Sequence, residues 1–372
     1  MSQGLRVALF DAYHRGSHRR WAEDAALLWM RSGHETTLWT LPGRHWKWRM
    51  HGAAAAFADR VSQDWSGPVP DALVVTEMLD AAALRGLLPS AWRTVPMAVY
   101  FHENQLTFPW SPTDPDAAAG RDRTYGWMNL ASALAADCVW FNSRHHLEVF
   151  LDAVPSFTQA FPDALPKAAL RALRAKCTVL HPPVSGAEFA GPRPDRADGS
   201  PVRLVWNHRW EYDKAPERFF AVVECLAARH IPFTLAVLGQ QFRAAPAVFD
   251  EARTRWSDRV VAWGMADRPA YVRQLLASDA IVHAPLQEYF GYSVMEALHA
   301  GCIPILGAGG AYSDYVTGFP AWDTAEEAAD LLVQAWQTNF AARTAAQGLA
   351  VPFEPDRMQA PYAAALNGLV HA

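Results

Sequence analysis

Short apolar runs recur along the chain at 5–10, 36–41, 72–75, 96–101, 138–141 and 178–180, each followed by a longer segment of mixed polarity. Runs of this length without alternation mark strands buried on both faces of a parallel sheet. The segments between them carry a helical period: 19–30, with Ser17 placed to cap it, 81–88, with Asp80 as cap, and 124–136, with one apolar face. The rhythm breaks at 185–201, SGAEFAGPRPDRADGSP, where Gly, Pro and charge predict a linker. It then resumes with strands at 202–207, 233–238, 260–263, 280–284 and 303–306 and helices at 216–229, 270–277 and 293–300. The pattern predicts an α/β protein of two doubly wound, Rossmann-like domains, 1–184 and 202–354, with 355–372 free to return onto the first. Such sheets bind ligands beyond the carboxyl ends of their strands, so two facing domains are expected to enclose a cleft there.

Composition narrows the class. The 372 residues are 51% hydrophobic and 19% charged, enough for two real cores and far from the profile of a disordered chain. A net charge of −5 excludes a general polycation, so any surface that grips nucleic acid must be local. Cys138, Cys177, Cys225 and Cys302 are scattered and predict neither disulfides nor a zinc ribbon. The spacing of His14, His18, His45 and His51 supplies no paired ligands on one helix, and no metal site is expected. No apolar stretch approaches the 18 to 20 residues or so of a membrane span. A soluble, cytoplasmic protein with no membrane partner is the expectation.

The sharpest chemistry lies in the second half. Glu288 and Glu296 are set across a strand–loop–helix corner whose glycine, Gly291, lets a ligand approach the backbone, while the N–H groups of Tyr292, Ser293 and Val294 head the helix and can receive a phosphate. Solvated acids at a helix N-terminus would look the same if taken alone. Arg209 and Lys214, just beyond the strand 202–207, add a planar fork and a point charge suited to a diphosphate. This set resembles the family-four retaining glycosyltransferases of the GT-B fold. The resemblance implies that Arg209 and Lys214 bind the donor diphosphate, that Glu296 binds ribose, and that Glu288 lies at the donor sugar beside Phe290 and Gly291. It also implies a nucleoside-diphosphate-sugar co-substrate with no metal or other cofactor, the two cations neutralising the diphosphate.

Three segments of the first half are more particular. The loop after 5–10 carries Gly16, Ser17, His18 and Arg19. The stretch 41–51 interleaves Arg44, Trp46, Lys47, Trp48 and Arg49, rings for bases and cations for phosphates, although a helix burying Trp46 would read similarly. Residues 1–60 carry a net +4 against −9 for the remainder. His102, Glu103, Asn104 and Gln105 follow the strand 96–101, where they can meet a sugar or fix the loop. With Trp46-x-Trp48-Arg49, Tyr100-Phe-His-Glu-Asn-Gln-Leu106, His208-Arg-Trp-Glu211 and Glu288-x-Phe-Gly291 in order, the chain resembles the tRNA-queuosine mannosyltransferases. The resemblance implies transfer of mannose from GDP-mannose to queuosine in tRNA-Asp. In it Gly16 serves the donor, His102 is catalytic with Glu288, Arg209 and Lys214, and the remaining first-half residues serve the tRNA. A lipid or polysaccharide acceptor, or binding without transfer, are the competing expectations.

Overall fold

The apolar runs pair as parallel strands in two separate sheets. The computed structural model describes residues 4–111, 114–119, 123–162, 167–242 and 245–371, which divide into one unit of 1–183 with 355–372 and another of 184–354.

The first unit holds β1 (Arg6–His14), β2 (Glu35–Pro42), β3 (Ala72–Thr76), β4 (Met97–Phe101), β5 (Cys138–Phe141) and β6 (Cys177–Val179), in the order β2-β1-β3-β4-β5-β6. Period-two alternation sends Val7 and Leu9 of β1 onto Trp21 and Trp29 of α1 (Gly16–Arg31), and Ala8 and Phe10 onto the layer of α2 (Trp46–Asp64) and α3 (Ala81–Leu87). Asp80 caps α3, accepting from the Ala83 N–H at 2.9 Å. Ser17 does not cap α1: the helix opens at Gly16, whose φ of +56° makes the strand-to-helix turn, and this leaves Ser17 inside the first turn. The helix Pro355–Val370 belongs to this unit. Trp21 Nε1 donates to the Tyr362 hydroxyl at 2.8 Å, and Trp29 Nε1 to the Tyr362 carbonyl at 3.0 Å.

The second unit holds β7 (Val202–Asn207), β8 (Phe233–Leu238), β9 (Val260–Gly264), β10 (Ala280–His283) and β11 (Ile303–Leu306), in the order β11-β10-β7-β8-β9. The stretch 185–201, predicted as a linker, lies within this unit. Phe189 enters its core, Arg193 donates to the carbonyls of Ser278 and Ala300, and Arg196 pairs with Asp279. Asp279 is fully buried and also receives Arg203, at 2.9 Å, and Arg343. Arginines that read as solvated charge in the sequence are the pins that tie this segment down.

In each sheet the winding reverses once, between β1 and β3 in the first and between β7 and β10 in the second. A doubly wound sheet opens its ligand crevice at such a switch point. No described helix is long and apolar enough to cross a membrane.

Candidate active site

The second switch point gathers the residues expected there. Lys214, nearly buried, sets its ammonium 3.0 Å from Glu288 and 3.2 Å from Asp213. Burial works against its charge, but Glu288 and then Asp213 outweigh it and hold the pKa above the ordinary lysine value. Arg209 is half-exposed, 2.8 Å from Glu211 and 3.9 Å from Asp213. Gly291 begins the helix Tyr292–His299 at φ +91°, and a Cβ there would lie 2.8 Å from the Tyr312 ring, so only glycine fits this corner. Phe290 is buried beneath it.

One expectation changes. The N–H of Val294 is spent on the Gly291 carbonyl at 3.0 Å, which removes it from the anion-facing donors. Glu296 is buried, and each of its carboxylate oxygens already accepts one hydrogen bond, from Arg268 at 2.9 Å and from the Tyr271 hydroxyl at 2.7 Å. A carboxylate oxygen takes more than one donor, so ribose hydroxyls can still be accepted. Tyr271 and Arg268 were not legible as site residues. Ser293 receives or gives a hydrogen bond at His208 Nδ1, 2.8 Å away, and its carbonyl accepts from Asn207.

Sequence reasoning also missed His283. Its ring stacks on His208 with centroids 3.4 Å apart. Burial first, and for His283 the neighbouring His208 with Lys214, push both imidazoles well below their ordinary pKa, so both are neutral. Both His283 nitrogens, His208 Nε2, Gln287 Nε2 and the Tyr312 hydroxyl are buried without a hydrogen-bonding partner among the described residues. Buried polar atoms are rarely left so, which makes this group a candidate place for a polar ligand. The available signal was a histidine ending an otherwise apolar strand, AIVH.

The first switch point gathers a second cluster. Asp11 is buried and 2.7 Å from His14 Nδ1. Burial alone would raise its pKa; the hydrogen bond to His14, with His18 and His102 nearby, turns the balance and holds it below the usual carboxylate range. Glu77, directly after β3 and fully buried, meets His102 Nδ1 at 3.0 Å and the Glu103 N–H at 3.3 Å. Burial pushes its carboxyl up to about 7 and pushes His102 down to about 3. His18 lies over His102, ring centroids 4.0 Å apart, with Nε2 3.7 Å from Glu77. His18, Glu77 and His102 offer three ligand-type atoms within 4.8 Å of one another. Within the trio the Glu77 carboxylate meets His102 Nδ1 at 3.0 Å, a hydrogen-bonded pair with His18 stacked beside it. Gly16 and the exposed Ser17 and Arg19 lie at the mouth of the same loop, with Arg19 on Glu23 at 2.9 Å.

The other first-half residues are largely held by their neighbours. Asn104 is buried, its side-chain oxygen accepting from the N–H groups of Leu106 and Thr107 at 3.0 Å, so that oxygen shapes the loop. Glu103 accepts from Gln105 at 2.9 Å. Lys47 is already ion-paired: its ammonium is 2.6 Å from Asp114 and 2.7 Å from Asp116, within 6 Å of the rings of Trp46, Trp110 and Tyr125. Trp46 is one wall of that cage, partly buried and packed 5.0 Å from Tyr125. Trp48 remains 65% exposed and Arg44 is exposed, while Arg49 Nε donates to the Pro42 carbonyl at 3.2 Å.

Residues 6–184 match the family profile described as tRNA-queuosine alpha-mannosyltransferase N-terminal. A tRNA-queuosine alpha-mannosyltransferase of Drosophila melanogaster is 30% identical over 308 residues, 80% of this chain and 78% of that protein. The chain belongs to the tRNA-queuosine alpha-mannosyltransferase family. It is a glycosyltransferase of the GT-B fold. Among solved structures, a glycosyltransferase from Rickettsia africae ESF-5 aligns with a TM-score of 0.66 at 15% identity, covering 98% of this chain and 99% of its own. HepE of Anabaena in complex with UDP aligns with a TM-score of 0.66 at 13% identity, covering 98% and 100%. At such identities these likenesses speak for the fold alone.

Proposed function

We propose that this mannosyltransferase-family chain moves mannose from GDP-mannose onto the cyclopentenediol of queuosine in tRNA-Asp, with retention at the anomeric carbon, in the cytoplasm. The observation that carries the reading is the gathering of Arg209, Lys214, Glu288 and Glu296 at one switch point, beside buried polar atoms that lack partners among the described residues. Arg209 and Lys214 face the diphosphate with two positive charges as the bond from the anomeric carbon to its oxygen breaks, and the Ser293 end of the helix adds its dipole. The acceptor hydroxyl bonds to the anomeric carbon on the face being vacated and yields its proton to the departing phosphate oxygen. Glu288 and His102 orient the sugar, Glu296 the ribose, and Gly16 leaves the backbone open to the donor. Neutralisation by cationic side chains makes no call on a metal or other cofactor. Ser17, His18, Arg19, Arg44, Trp48, Arg49 and Glu103 serve the tRNA in this reading.

The test is incubation of the purified protein with queuosine-containing tRNA and a panel of sugar nucleotides, followed by mass analysis of the nucleosides. A hexosyl-queuosine formed with GDP-mannose is the expected product. Unmodified queuosine with every donor overturns the proposal.

A further inference from the structure

His102 is buried and held by several neighbours. Trp21 and Tyr100 present their rings edge-on at 5.1 and 4.8 Å, His18 stacks on one face, and Asn142 donates to its backbone carbonyl at 2.8 Å. Its Nδ1 meets the carboxylate of Glu77 at 3.0 Å, and its Nε2 is buried with no hydrogen-bonding partner among the described residues. The hydrogen of a neutral imidazole must sit on one of these nitrogens. On Nε2 it would be a buried N–H with nothing to bond, while Nδ1 and a carboxylate oxygen faced each other as two acceptors. On Nδ1 it makes the bond to Glu77 and leaves Nε2 as a bare lone pair, the cheaper group to leave waiting for a ligand.

We infer that Glu77 is a positioning residue that holds the hydrogen of His102 on Nδ1, so that Nε2 accepts a hydroxyl of the transferred sugar. The inference rests on the proposed transfer for the identity of that hydroxyl, and on geometry alone for the tautomer. The charged and titratable groups around the pair are Asp11 and His14 from β1, His18 from α1, Glu103, and His146 beyond Asn142. The pair is built from the ends of two adjacent strands, β3 and β4, so its geometry is set by sheet register and not by a loop.

The experiment is long-range proton–nitrogen NMR on full-length protein labelled with 15N-histidine, the His102 signals assigned by their loss in His102→Gln. Above neutral pH the expected spectrum shows Nδ1 as a protonated nitrogen and Nε2 as an unprotonated one. Folded Glu77→Leu, with the carboxylate gone and the volume kept, shows the hydrogen moved to Nε2, a fall in kcat of roughly 10- to 100-fold, and unchanged GDP affinity. Glu77→Asp restores both the tautomer and part of the turnover. A wild-type spectrum with the hydrogen on Nε2 overturns the inference, as does a folded Glu77→Leu with wild-type kcat. Should Glu77→Leu not fold, the wild-type spectrum decides by itself. The expected tautomer in a protein that modifies no tRNA would leave the Glu77–His102 assignment standing and remove the proposed transfer.

Discussion

Replacing Arg209 by Ala separates chemistry from stability more cleanly than replacing Lys214. The Arg209 side chain is 50% exposed and its nearest acid is Glu211 at 2.8 Å, a surface pair whose loss costs about 1 kcal/mol or less. Lys214 is different. Its ammonium sits between Glu288 and Asp213, and Asp213 is buried, so truncation strands two carboxylates at a cost of about 3–5 kcal/mol, a large part of the total of about 5–15 kcal/mol available to a typical domain. In turnover, removing one preorganised group that faces developing charge costs about 10²- to 10³-fold. Arg209→Ala is therefore expected to keep its melting temperature within a few degrees while kcat for transfer to queuosine-containing tRNA falls by that factor. Lys214→Ala loses turnover and stability together. Both are read by nucleoside mass analysis under saturating substrates alongside thermal unfolding. Arg209→Ala with undiminished kcat would refute the diphosphate assignment.

The kcat/KM profile is expected to fall as pH drops below about 7, because a proton taken up by the buried Glu77, whose carboxyl burial pushes up to about 7, removes the charge that keeps hydrogen on His102 Nδ1. His102, held near 3, is not the group that titrates there, so Glu77→Leu should abolish the limb. Removing Arg44 and Arg49 should each flatten the salt dependence of tRNA binding by about one unit of slope, whereas Lys47→Ala, its charge already neutralised by Asp114 and Asp116, leaves the slope unchanged and lowers the melting temperature. Trp48→Ala should weaken tRNA binding by about 1–3 kcal/mol without loss of stability, since the ring is largely in solvent; unaltered binding would remove it from the interface. Gly291→Ala, forced into positive φ against the Tyr312 ring, should destabilise the protein by about 1–2 kcal/mol or more in a denaturant titration.

The sequence by itself determined what is local. Unbroken apolar runs gave β3, β4 and β7 as buried parallel strands, Asp80 announced its helix, and the spacing from Arg209 to Lys214 and from Glu288 to Glu296 placed three groups on two loops that leave neighbouring strands and the fourth, Glu296, in the helix that follows. Only the tertiary structure decided which charges remain available. Lys47 reads as a phosphate-binding cation until Asp114 and Asp116, far along the chain, close on it, and Arg193 and Arg196 read as linker charge until Asp279 and the nearby carbonyls take them up. Glu77 and His283 gave no motif at all, because a lone polar residue ending an apolar strand acquires meaning from the strands beside it. Spacing fixes which residues share a loop, whereas a side chain's protonation and free valence depend on burial and on partners brought in from distant positions by the sheet order.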